Sequence, residues 1–261
     1  MAPRSIWNGT VAFGLMSVPV KLYTATESKT VHFHEVHLED GARVEHRRFC
    51  SKEDKEVPYK EVVKGYEVDP GEYVVLDKEE VAAAAGDGAH RIDVEHFVDA
   101  GEIDPVFFEK TYYVGAGKEG EQAYRLLHDA LKQTGRAGIG RFTFHDREYL
   151  TAVRARDGVL LLHTLRFADE LVPGADVDVA EPSRGPAKRE VEMARKLVDT
   201  LHERFRPDRY EDEYRKAVLD VVKRKAKGDD IEPPEEPERD EPDDLMAALK
   251  ASIDGSGKGG R

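Results

Sequence analysis

Between positions 132 and 166 the sequence sets Lys132 and six arginines (Arg136, Arg141, Arg147, Arg154, Arg156 and Arg166) against Asp146, Glu148 and Asp157, a local net charge of +4. A guanidinium is a permanent cation with five N–H donors in a planar fork, so such a cluster can hold phosphate or carboxylate oxygens by charge-assisted hydrogen bonds. Arginines on a polar strand face are also ordinary solvated surface, and residue type alone does not separate the two.

Three other constellations suggest sharper chemistry. Gly115, Gly117 and Gly120 match G-x-G-x-x-G between an expected strand and an expected helix, the context of a dinucleotide loop. The preceding segment 108–114 is too polar for a central parallel strand, and no repeated βαβ pattern surrounds it, so a plain strand-to-helix turn is the expectation. His32, His34, His37 and His46 could form a metal cluster, but they lack the ligand spacing of a closed zinc site, and no metal is expected. A Walker loop fails because Glu119 follows Lys118, and neither a G-x-S-x-G elbow nor an H-E-x-x-H helix occurs. These absences favour a non-catalytic binding protein without a cofactor.

The whole chain of 261 residues carries a formal charge of −13, which argues against a nucleic-acid partner until its distribution is considered. Residues 229–244 hold ten acidic side chains against Arg239, so −9 of the total sits in one short segment. Charged residues make up 36% of the chain and apolar ones 39%, enough for a core beneath a heavily charged surface. From the polar start at residues 1–8, and the absence of a run near the roughly 20 apolar residues of a membrane span, a cytoplasmic location is the expectation. Cys50 has no second cysteine to pair with, fits a reducing compartment, and is expected to serve as a small packing residue.

The elements that must position the arginines read as short strands with turn signals up to about residue 178. Val31 and Phe33 alternate with His32 and His34 as a strand would, and 66–68 faces 73–75 across a Pro70-Gly71 type II turn. Asp77 and Glu80 can cap each other at the start of a short helix through Ala85. A second helix is predicted over 121–133, with Tyr124, Leu127 and Leu131 on one stripe before Gly135. Strands 149–156 and 159–165 make a hairpin through Asp157-Gly158, a strong two-residue turn signal. If 141–145 joins that sheet, Phe142, Phe144, Val153, Ala155, Leu160 and Leu162 share an apolar face, with Arg141, His145, Arg154, Arg156 and His163 opposite. Glycines 135, 138 and 140 would let the backbone bend around a bound strand.

Beyond Pro186 the period turns helical: Val191, Ala194, Val198, Leu201 and Phe205 form one stripe, and Tyr210, Tyr214, Ala217, Val218 and Val221 another, with Pro207-Asp208 as break and cap. Residues 229–244, rich in acid and proline, should stay extended. After them Leu245, Leu249 and Ile253 fall on one face of a helix too short to stand alone in water.

Residues 5–23, SIWNGTVAFGLMSVPVKLY, closely resemble the opening strands of the bacterial Ku family. In the same order follow VPYKEVVKGY at 57–66, YVVL at 73–76, GIGRF at 138–142, RDGVL at 156–160 and FRPDRYEDEY at 205–214. The resemblance spans nearly the whole chain. It implies a mainly β, α+β fold: a Ku-type β-barrel core with a DNA-encircling bridge over 1–186 and a helical C-terminal region over 187–228, which composition and periodicity extend in this chain by an acidic Pro-rich linker over 229–244 and a short amphipathic motif with a flexible tail over 245–261. It further implies a homodimeric, non-enzymatic ring on double-stranded DNA ends, with DNA ligase D as partner, in the nucleoid and away from membranes. Two departures stand out: some relatives have a second cysteine soon after the position of Cys50, and some have a lysine-rich tail where this chain is acidic.

With that resemblance, the arginines acquire a ligand. A compact protomer of about 185 residues has a radius of gyration of roughly 16 Å, so two copies are needed to surround a duplex. Ends of any sequence must be held by phosphate rather than base edges, which nominates Arg136, Arg141, Arg147, Arg154 and Arg156. Tyr210, Tyr214, Leu245, Leu249 and Ile253 are nominated as the partner-binding residues. The alternative from another class is an architectural protein that coats DNA internally.

Overall fold

The computed structural model describes residues 4–77, 79–80, 90–144, 147–179, 185–230, 249 and 252. The chain divides into two units, Met1–Lys29 with His34–Asp176, and Thr30–Phe33 with Val177–Arg261.

The first unit is a closed barrel of seven strands. β1 (Trp7–Phe13) and β2 (Met16–Thr24) form a hairpin whose register sets Val11 opposite Val18 and Trp7 opposite Leu22. Alternation along β2 turns Val18, Val20 and Leu22 inward, where all three are buried. The next pair, β3 (Lys64–Asp69) and β4 (Glu72–Leu76), stands apart as a two-stranded sheet. β5 (Arg91–Asp99), β6 (Phe108–Ala116), β7 (Arg136–Phe144), β8 (Arg147–Arg156) and β9 (Val159–Leu165) complete the barrel in the order β1-β2-β6-β9-β8-β7-β5. All its pairings are antiparallel except the seam, where β1 runs parallel to β5.

The apolar face expected of the last three strands is the barrel interior: Phe142, Val153, Leu160 and Leu162 are buried in the main core, with Phe144 and Ala155 packed against it. Asp157 (φ 47°) and Gly158 (φ 85°) make the tight turn between β8 and β9, as the Asp-Gly pair predicts. Helix α1 (Glu121–Thr134) adds Leu127 and Leu131 to the same core. Its C-terminus is closed by Gly135, whose left-handed backbone (φ 67°) returns an N–H to the Leu131 carbonyl.

β7 begins five residues before the predicted strand, because glycines 138 and 140 weaken its strand signal. Neither glycine makes room for a ligand. A Cβ at Gly140 would stand 2.0 Å from the Asp93 carbonyl oxygen, and one at Gly138 would stand 2.8 Å from the Val94 side chain. Both are therefore required by the close approach of β5. The G-x-G-x-x-G motif has a similar explanation: Gly117 donates its N–H to the Pro19 carbonyl at 2.8 Å, and a Cβ at Gly117 or Gly120 would collide with Pro19. The loop is a turn packed onto β2.

Other expectations are corrected. Residues 30–35, including Val31 and Phe33, form no strand; alternation alone does not make one without a ladder partner. Residues 36–57 are held by isolated bridges, Val36 to Arg43 and Phe49 to Glu56. Cys50 sits in a turn rather than the core, its N–H donating to the Lys55 carbonyl and its carbonyl accepting from Asp54. Asp77 and Glu80 do cap each other reciprocally, while the helix predicted through Ala85 lies outside the described residues.

In the second unit, α2 (Lys188–Leu201) and α3 (Glu213–Ala226) occupy the region read as helical. Phe205 and Tyr210 fall outside both helices and stack on each other with centroids 6.1 Å apart. Asp212, not Asp208, caps α3 by accepting from the Arg215 N–H at 2.8 Å; Pro207 starts a 3-10 turn of its own, and the helix begins after it. No residue of either helix is buried.

Candidate nucleic-acid interface

The outer face of β7, β8 and β9 carries the residues that alternate with the core. It presents Ala137, Ile139 and Arg141 from β7, Leu150, Ala152, Arg154 and Arg156 from β8, and Leu161, His163 and Leu165 from β9, as the strand periodicity predicts. Its centre is apolar: Ala137, Ala152 and Leu165 are buried under Ile103, Phe107 and Phe108. His145 lies outside the described residues.

The five nominated arginines do not form one patch. Arg141 bridges two carboxylates, 3.0 Å from Glu95 and 3.4 Å from Glu148, in a groove also lined by Arg91 and Asp93. Arg147 reaches Glu170 at 2.9 Å and lies over the Tyr149 ring. Arg136 starts β7 opposite Asp99, 3.6 Å from its carboxylate, and rims an apolar hollow with Phe13, Phe97 and Leu126. Only Arg154 and Arg156 come together, lining a groove of about 600 Å³ with Thr26, Thr111, Tyr113 and His163.

Within that groove the two arginines differ. Arg156 is exposed, and its Nε donates to Asp157 at 3.2 Å. Arg154 is half-buried beside the Phe108 ring, its Cζ 5.8 Å from the centroid. Among the described residues no carboxylate lies within ion-pair distance of Arg154, alone of the five. Its Nε instead donates to Nε2 of His163 at 2.9 Å, and Nδ1 of His163 meets the Thr111 hydroxyl at 2.9 Å. Burial first, and the Arg156 charge second, hold Arg154 below the ordinary guanidinium range. Burial, then Arg154 and Arg156, push His163 down to about 4, so its imidazole is neutral at physiological pH.

His163 and Thr111 were missed as site residues. The hairpin offered a signal for the first: counting from Asp157-Gly158 pairs Arg154 with Leu161 and Ala152 with His163, which makes Arg154 and His163 diagonal neighbours. Nothing local marks Thr111, which arrives through the pairing of β6 with β9.

Of the partner residues, Tyr210 and Tyr214 are 70% and 78% exposed, and Leu249 is helical and partly buried. Leu245 and Ile253 lie outside the described residues. No group of three or more His, Cys, Asp and Glu side chains among the described residues is placed to hold a metal ion. No described helix is long and apolar enough to cross a membrane.

Comparison with known proteins completes the picture. The family model for the Ku70/Ku80 beta-barrel domain matches residues 12–193. The Non-homologous end joining protein Ku of Anaeromyxobacter sp. (strain K) is 44% identical over 252 residues, covering 96% of this chain and 85% of the relative. That of Solibacter usitatus (strain Ellin6076) is 38% identical, over 95% of this chain and 92% of the relative. That of Bacillus subtilis (strain 168) is 34% identical, over 96% and 82%.

Proposed function

The chain belongs to the Ku family, and from that premise we propose that it serves DNA repair by non-homologous end joining as a homodimeric ring on duplex ends. It grips the phosphate backbone without reading bases, catalyses nothing itself, and recruits DNA ligase D inside the cell. The observation that carries the DNA-binding part is Arg154, a half-buried cation with no described carboxylate partner, set beside a second arginine in an open polar groove. A guanidinium so placed suits a phosphate oxygen as its partner. Arg156 joins it by giving up its weak surface pair with Asp157. Arg136, Arg141 and Arg147 contribute only by exchanging their carboxylates for phosphate.

The dimer reading is supported by the β3–β4 hairpin. Both strands are exposed along their full lengths, yet one face carries Tyr66, Val68, Val74 and Leu76 and the other Tyr73 and Val75. A lone two-stranded sheet is marginal in water, and apolar residues on both faces call for cover. A second copy provides it and turns the hairpin into the bridge of a closed ring. Likewise, the uncovered apolar residues of α2 and α3 and the segment 245–253 are surfaces for the dimer and the ligase.

Binding to linear, nicked-circular and closed-circular duplex at one salt concentration tests the proposal. A ring that threads onto ends binds the linear form and fails on both circles. Equal binding to all three would instead favour the reading of an architectural protein that coats DNA internally.

A further inference from the structure

We infer that Thr111 and Arg154 form a phosphate subsite in which His163 is the positioning residue, aiming both donors at the anion without touching it. The inference rests on the reading of the protein as a DNA binder.

The tautomer of His163 follows from its partners. A guanidinium only donates, so the Nε2 that receives the Arg154 Nε–H at 2.9 Å carries no proton. The one proton of the neutral ring is therefore on Nδ1, and it is donated to the Thr111 hydroxyl oxygen at 2.9 Å. Having accepted there, the Thr111 hydroxyl keeps its own hydrogen to give away, and its side chain lines the groove. His163 itself is only 4% exposed, so it acts through its two neighbours.

Arg154 supplies the charge. Tying down Nε fixes the plane of the guanidinium and leaves the two Nη groups as a fork. Arg156, two residues along the same strand face and so about 7 Å away, adds a second cation. A terminal phosphate monoester can give two oxygens to the fork and a third to Thr111, and an internal diester can give one non-bridging oxygen to the fork and the other to Thr111. The groove of about 600 Å³ has room for the attached sugar. The phosphate is either an internal diester or the monoester at a 5′ end.

The test measures binding of the full-length protein to a short blunt duplex over a range of salt, for wild type, Arg154→Ala, Thr111→Val, His163→Leu and His163→Gln. Arg154→Ala is expected to weaken binding on the order of tenfold or more and to lower the salt slope by about 1 per protomer. Thr111→Val and His163→Leu should each cost several-fold. His163→Leu should cost less in the Arg154→Ala background, where only its hold on Thr111 is left to lose, and nothing further once Thr111→Val is added, while His163→Gln, whose amide oxygen can accept from Nε, should restore most of the loss. Nitrogen-15 spectra of the histidine rings should show His163 protonated on Nδ1, a readout independent of how well any variant folds. Duplexes with 5′-phosphate and 5′-hydroxyl ends separate the two sources: a Thr111→Val defect confined to the phosphorylated duplex assigns the end phosphate, and an equal defect assigns an internal diester. An Nε2-protonated ring, or variants that keep wild-type affinity and slope, would overturn the subsite while leaving DNA binding intact. Failure of the wild type to bind linear duplex would overturn both.

Discussion

Leu160 donates its backbone N–H to the hydroxyl of Tyr124 at 2.9 Å, so a side chain from α1 completes the hydrogen bonding of a barrel strand. The same hydroxyl donates to the Val114 carbonyl at 2.6 Å. Val114 and Leu160 are paired across β6 and β9, and Tyr124 bridges the two where the ladder ends. Replacing Tyr124 by Phe keeps the ring in place but strands a donor and an acceptor beside buried residues. The expected loss is about 1 to 3 kcal/mol in urea unfolding, with DNA affinity of the folded protein unchanged. A stability equal to wild type would mean the bridge is idle.

The depressed pKa of His163 predicts a pH dependence of stability. In the unfolded chain the ring takes up a proton near 6.5, whereas in the folded protein it resists until about 4. Stability is therefore complete above pH 6.5 and drains away as the pH falls toward 4, because the unfolded state binds the extra proton. The full contribution is on the order of 3 kcal/mol. His163→Gln should lack this component in unfolding measured at pH 7, 5.5 and 4.5. Parallel curves for the two proteins would refute it.

Gly140→Ala sets a Cβ 2.0 Å from the Asp93 carbonyl oxygen, backbone against backbone. With no flexible side chain to yield, β5 and β7 must part, at a cost of about 3 kcal/mol or more. Gly101→Ala is the matching control, since nothing lies within 4 Å of its Cβ and its φ is not positive. It should stay within about 0.5 kcal/mol of wild type. Thermal midpoints that fall equally for both would discredit the steric account.

Polar substitution on one face of the β3–β4 hairpin separates assembly from folding. Tyr66 and Val74 are directly opposed, and changing them to Ser and Thr keeps short, strand-compatible side chains. Sedimentation should show wild type as the proposed dimer and the variant as a monomer at the same concentration, and affinity for linear duplex should drop at least about tenfold with loss of the second half. The barrel's melting transition should not move. A variant that stays dimeric would place the interface elsewhere.

Deleting residues 229–261 removes the acidic segment and the stripe of Leu245, Leu249 and Ile253. Stimulation of DNA ligase D should weaken several-fold while end binding is kept. If stimulation is untouched, the proposed ligase contact shifts to α2 and α3, which expose Val191, Val198, Leu201, Leu219, Val221 and Val222.

What the sequence made legible was local. The β8–β9 hairpin follows from alternation plus Asp157-Gly158, and α1 from its apolar stripe and its glycine cap, because each depends on neighbours a few residues away. The glycines of β7 misled because their reason, the close packing of β5 against β7, comes from residues over forty positions distant. For the site, alternation correctly put Arg154, Arg156 and His163 on one face. It could not show that Arg141 is neutralised by Glu95 and Arg147 by Glu170 while Arg154 is not. That difference decides which arginine is available, and it emerges only from strand register and side-chain reach.

The parallel seam between β1 and β5 affects how the protein is made. β1 and β2 leave the ribosome first, but their outer edges are met only by β5, starting at Arg91, and β6, ending at Ala116. At about 5 to 20 residues per second, the nascent hairpin waits roughly 3 to 13 seconds with both edges unpaired. During that delay it is a template for the same hairpin of another growing chain, so translation speed through residues 25–90 influences how much barrel is recovered intact.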